Sequence, residues 1–155
     1  VIKPPSLQGE FDLVFSEDPA LDLPADDAEK ARVLKVARET GKWPIKPGEA
    51  ATLFRIEPLT GLLMEHVRGE MLRRKLTEDE SRTLIFRLGV KSITHAEGIE
   101  ITYSKVDRWR ALSDETTNAI LSIGAAEGVP EVGRAIVNQI GLLIWQRSQE
   151  PVSKN

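Results

Sequence analysis

Between Ala50 and Ile93 the spacing of apolar residues changes from two to nearly four across a single proline. No other feature constrains the fold as strongly. Over Ala51-Thr-Leu-Phe-Arg-Ile-Glu57, Phe54 and Ile56 fall on one side and Leu53, Arg55 and Glu57 on the other, the pattern of a half-buried strand. Pro58 has no amide hydrogen to give to a ladder and ends that strand. Thr60 then offers a side-chain oxygen to a helix N-terminus, and Leu59, Leu63, Val67 and Met71 recur at helical spacing to about Lys75. Thr77-Glu-Asp-Glu80 is a capping box, in which hydroxyl and carboxylate satisfy amides that a helix start leaves orphaned. It opens a second helix carrying Leu84, Ile85 and Leu88 on one stripe. The segment is a scaffold with a defined core face and no catalytic motif.

A chain of 155 residues, 41% hydrophobic and 29% charged, predicts one compact soluble domain with room for an appendage. No apolar run approaches the roughly 18 to 20 residues of a membrane span. The first residues lack the basic-then-apolar order of a secretory leader. Cysteine is absent, which excludes a disulfide framework, thiolate metal ligands and a cysteine nucleophile, and makes cytosolic synthesis the simplest reading.

The net charge of −3 hides an uneven distribution. Residues 1–29 hold eight acids against Lys3 alone, whereas residues 30–110 hold 17 Lys and Arg against 11 Asp and Glu. An acidic leading segment can lie on a basic body, its own or a neighbour's, or both can be ordinary solvated surfaces. Pro4, Pro5, Pro19 and Pro24 forbid a helix through most of residues 1–24. Phe11-Asp-Leu-Val-Phe15 is the one strand-like piece there, with Phe11, Leu13 and Phe15 on a common side. Such a segment reads as an extended arm whose apolar residues clamp a neighbouring subunit.

Asp26 or Asp27 caps a helix to about Thr40 that stops at Gly41. Ile99-Glu-Ile-Thr-Tyr103 alternates cleanly and is expected to be a strand, paired with residues 90–94 as a hairpin or with residues 51–57. Ser113 caps a helix to about Ile123. Pro130 opens the longest helix, about Glu131 to Ser148, whose Val132, Ile136, Val137, Ile140, Leu143 and Ile144 form one stripe. Gly133 and Gly141 each cost roughly 1 kcal/mol in a helix interior, so a close backbone approach is expected at both. Leu142 and Trp145 lie off the stripe, which makes this helix a central core element or an oligomer surface.

The two histidines, His66 and His95, lack metal-site spacing, and no phosphate-cradling glycine loop or nucleophile elbow is present. No catalytic, cofactor-binding or metal-binding residue is therefore expected. The helices at 60–75 and 78–88, with Arg73-Arg-Lys75, imitate a helix-turn-helix, but Glu78, Asp79 and Glu80 would meet phosphates with like charge. A DNA-binding regulator and a small enzyme without a recognisable motif stay as alternatives.

Phe54-Arg-Ile-Glu-Pro-Leu-Thr-Gly61, the following helix and Leu84-Ile-Phe-Arg-Leu-Gly89 resemble small proteins encoded in tailed-bacteriophage morphogenesis clusters. Residues 95–98 and 112–116 take the places of that pattern's loop and later helix start, so the resemblance covers about residues 50–148. It implies a tail assembly chaperone or a minor virion component, acting in the host cytoplasm during assembly or in the particle itself. The expected fold is α+β, mainly α: a helical domain over 25–148 with a short hairpin or small sheet, an acidic arm over 1–24 and a polar tail over 149–155. Its expected partners are other phage structural proteins in a homo- or hetero-oligomer, with nucleic acid and membrane not expected. Phe11, Leu13 and Phe15 on the arm, and Leu142 and Trp145 on the last helix, are the expected partner-binding residues.

Overall fold

The computed structural model describes residues 11–149. In chain order these form β1 (Phe11–Val14), α1 (Asp27–Thr40), β2 (Leu53–Ile56), α2 (Gly61–Arg73), α3 (Glu78–Gly89), β3 (Val90–Thr94), β4 (Tyr103–Val106), β5 (Trp109–Leu112), α4 (Asp114–Leu121) and α5 (Glu131–Gln149). The architecture is α+β and mainly α, as expected.

The expected helix boundaries are met where caps define them. Asp26 accepts from the Glu29 amide at 3.0 Å, and Gly41 closes α1 in the left-handed region at φ 73°. Thr60 caps α2 and Ser113 caps α4. At α3 both halves of the capping box form: the Glu80 amide donates to Thr77 Oγ1 at 3.1 Å and the Thr77 amide donates to Glu80 Oε1 at 3.0 Å.

β2 is the centre of a three-stranded antiparallel sheet in the order β1-β2-β3. Leu13 lies opposite Phe54, and Phe54 opposite Ile93. The period of two then sorts side chains to two covered faces. Leu13, Phe54, Ile56 and Ile93 join the main core, while Val14 joins Leu34, Ala51 and Leu21 in a smaller cluster on α1's side.

The segment expected as an arm is thus, from Phe11 onward, part of the body. β1 supplies an outer strand, and Leu21 bridges to Ile45. The Ser16 amide donates to Gln139 Oε1 on α5 at 2.9 Å, and Gln139 Nε2 donates to Ser16 Oγ at 2.6 Å. The common face of Leu13 and Phe15 is as expected; what covers it is the chain's own core. Residues 1–10 and 150–155, most of the arm's leading half and nearly all of the polar tail, lie outside the described residues.

The main core gathers on α5, whose Ile136, Val137, Ile140 and Ile144 are buried. Full burial of such side chains is worth about 1.5–3 kcal/mol each. The two interior glycines have the expected packing reason. A Cβ on Gly133 would fall 2.4 Å from the carbonyl oxygens of Ile120 and Leu121, and one on Gly141 would fall 2.6 Å from that of Arg82. α5 therefore touches α4 and α3 backbone to backbone.

The strand expected at Ile99–Tyr103 is displaced. Tyr103 begins β4, which pairs with β5 in a hairpin through Asp107 and Arg108, with Asp107 at φ 55°. Glu100 and Thr102 instead hydrogen-bond with the start of α4. The Thr102 amide donates to Thr116 Oγ1 at 2.9 Å, Thr116 Oγ1 donates to the Glu100 carbonyl at 2.8 Å, and the Ser113 amide donates to the Thr102 carbonyl at 3.0 Å. Hydroxyls of α4 do the work of a neighbouring strand.

Candidate functional site

The helical period that carries Leu63, Met64 and Val67 into the core carries Leu62, Glu65, Gly69 and Leu72 to the opposite side of α2. There Leu62 is 58% exposed and Leu72 82% exposed, while the space outside Gly69 is open. The ten steps from Leu62 to Leu72, at 1.5 Å each, make this face about 15 Å long. Neither leucine was singled out by sequence reasoning, although the wheel that places Leu63 and Val67 inward also places them outward.

α2 is held along its two flanks by tryptophans. Arg68 lies over the Trp145 ring at 5.4 Å, and His66 packs on Trp109 with ring centroids 4.6 Å apart. The outer face of α2 therefore adjoins the Trp145 side of α5. Of the five residues expected to bind a partner, Leu142 and Trp145 are half-buried and reach the surface. Leu13 and Phe15 do not: at 1% and 8% exposure they sit in the main core, because β1 pairs with β2 and turns that face inward. For Phe11 the backbone register opposite Ile56 is described, and its side chain is not.

The basic cluster that imitated a DNA-binding element is largely engaged. Arg73 Nη2 donates to both carboxylate oxygens of Glu70 at 2.5 and 2.6 Å, and Arg74 Nη1 lies 3.7 Å from Glu70 Oε2. The hydrogen bond from Arg73 holds the Glu70 carboxyl below its ordinary pKa, and Glu70 in turn raises that of Arg73. Glu78, at the start of α3, pairs with Arg82.

His66 is half-buried and its Nε2 is buried with no partner among the described residues; His95 is exposed. Among the described residues no group of three His, Cys, Asp or Glu is placed to hold a metal ion, and no helix is long and apolar enough to cross a membrane.

Two cavities stand out. One, about 620 Å³, lies among α3, the connection before it, the end of α4 and α5. Its polar groups are mostly committed to the fold: Glu80 to Thr77, and Arg87 to Asp114 and the Leu112 carbonyl. The other, about 540 Å³, opens where β1 and β3 end. It is lined by buried Phe15, Phe54 and Ile93 and by half-exposed Ile99, Ile123 and Val132, with Glu17, Asp18 and Glu97 among its polar residues. Sequence reasoning missed this site, since its lining comes from five separated stretches of chain.

Comparison with protein-family models, with curated proteins and with solved structures finds no match to this chain.

Proposed function

We propose that this protein works by gripping other polypeptides, as a structural component or assembly helper of a tailed bacteriophage, and that it performs no bond-making chemistry. The observation that carries the reading is the outward face of α2, where Leu72 and Leu62 stand in solvent at 82% and 58% exposure on a helix otherwise well anchored. Single exposed apolar residues are ordinary. Two leucines on one face, with open space at a glycine between them and a half-buried tryptophan on the flank, fit the anchor pattern of a helix-in-groove contact. The bacteriophage part rests on the resemblance carried by residues 54–61 and 84–89.

Trp145 adjoins this surface, and Leu13 and Phe15 do not, being buried in the main core. A DNA-binding role has less support, because Arg73 and Arg74 share an ion pair with Glu70, and Glu78, Asp79 and Glu80 occupy the first turn of α3. The test is to follow the chain through assembly with Leu62 and Leu72 replaced by aspartate. The doubly substituted protein is expected to melt like the parent, since both positions are exposed, and to be lost from particles or assembly intermediates. Equal incorporation of parent and variant would refute the reading.

A further inference from the structure

We infer that the apolar cavity at the end of the three-stranded sheet is a docking cleft for an extended peptide bearing two basic residues, about three positions apart, around an apolar pair. This goes beyond the α2 surface and is independent of the bacteriophage reading.

At about 540 Å³ the cavity lies within the usual range of ligand sites, roughly 300–1,000 Å³. Ile99, Ile123 and Val132 are half-exposed, so apolar surface is presented at the opening and is not sealed within the core. The charge around it has one sign: Glu17, Asp18 and Glu97 line it and no Lys or Arg does. Asp18 is already engaged, with its carboxylate oxygens accepting from the Ala20 amide at 2.9 Å and the Thr52 amide at 3.1 Å. Glu17 and Glu97 are exposed and pair with no cation among the described residues. An apolar occupant that left these carboxylates unmatched would desolvate them at a cost; one that brings cations matches them.

The spacing of the two glutamates selects a peptide over a single amine. β1 and β3 run on either side of β2 and end on the same row, Val14 opposite Leu53 and Leu53 opposite Thr94. Strand ends separated by two inter-strand steps are about 10 Å apart. Glu17 and Glu97 each follow their strand end by three residues, and both line the cleft. One ammonium cannot span the roughly 10 Å between the strand ends that these residues follow. Two lysines or arginines three residues apart on an extended chain, at about 3.3 Å per residue, can, and the apolar pair between them faces the isoleucine-lined cavity.

The test uses the full chain and blocked hexapeptides with a leucine–phenylalanine pair flanked by two lysines, two serines or two glutamates, and phenylbutylamine as a singly charged amphiphile. Methyl chemical shifts of Ile99, Ile123 and Val132 report occupancy. The lysine peptide is expected to move methyl signals of all three residues, to bind at least tenfold more tightly than the serine peptide and the amine, and to weaken as salt rises. Glu17→Lys with Glu97→Lys, both at exposed positions, is expected to lower its affinity at least tenfold with an unchanged melting temperature. The inference is overturned if no methyl of the three residues shifts at millimolar lysine peptide, if the glutamate or serine peptide binds equally, if the amine binds as tightly, or if charge reversal leaves affinity intact.

Discussion

At the scale of single residues, the glycines of α5 and α2 give opposite forecasts for the same substitution. Gly133→Ala and Gly141→Ala each drive a methyl into a neighbouring helix's carbonyl oxygen, at 2.4 and 2.6 Å, so each is expected to destabilise by about 1–3 kcal/mol in urea unfolding. Gly69→Ala meets nothing within 4 Å and removes a glycine from the interior of α2, so a gain of up to about 1 kcal/mol is expected in the same assay. Titration offers a second residue-level forecast. The Thr77 amide and hydroxyl hold Glu80 below its ordinary pKa. A carboxyl whose folded pKa is depressed adds stability above its unfolded value and loses it as pH falls through the folded value. The stability difference between the parent and Glu80→Gln is therefore expected at neutral pH and should vanish in acid; a difference that persists or grows in acid would contradict the capping box. The glycine contacts were legible in the sequence as a need for close approach, because helix-interior glycine is costly. Which backbone approaches was not, since Ile120, Leu121 and Arg82 are set by the fold of other elements.

Elements with local signals were readable, and elements defined by distant partners were not. Caps at Asp26, Thr60, Thr77 and Ser113 placed four helix starts, because each acts within three residues of itself. β1 had the right face but the wrong neighbour: its partner Phe54 lies 41 positions beyond Leu13, and alternation alone does not name a partner. The stretch at residues 99–102 had the alternation of a strand, yet hydroxyls of Ser113 and Thr116 take its hydrogen bonds. The α2 surface was open to reading from the same wheel as the core stripe, whereas the cleft beside Glu17 and Glu97 arises only when the sheet's two outer strands end together. Leu13→Ala distinguishes an integrated β1 from a free arm. Removal of this buried side chain is expected to cost about 2–5 kcal/mol in equilibrium unfolding. An arm docked only on a neighbour would leave the isolated chain's stability unchanged.

At the scale of the whole molecule, α5 packs against α3 and α4 and also borders both candidate surfaces, through Trp145 beside α2 and Val132 at the cleft. The outer face of α2, flanked by Trp145, carries two exposed leucines; the cleft at the sheet's end is apolar within an acidic setting. A molecule with two such faces is suited to stand between other polypeptides. The most direct measurement is the copy number of the chain in purified particles and assembly intermediates, for the parent and for the variant carrying Leu62→Asp and Leu72→Asp. The account predicts a fixed stoichiometry for the parent and its loss in a variant that melts at the same temperature. Absence of the parent from every assembly species, or equal incorporation of the variant, would contradict it.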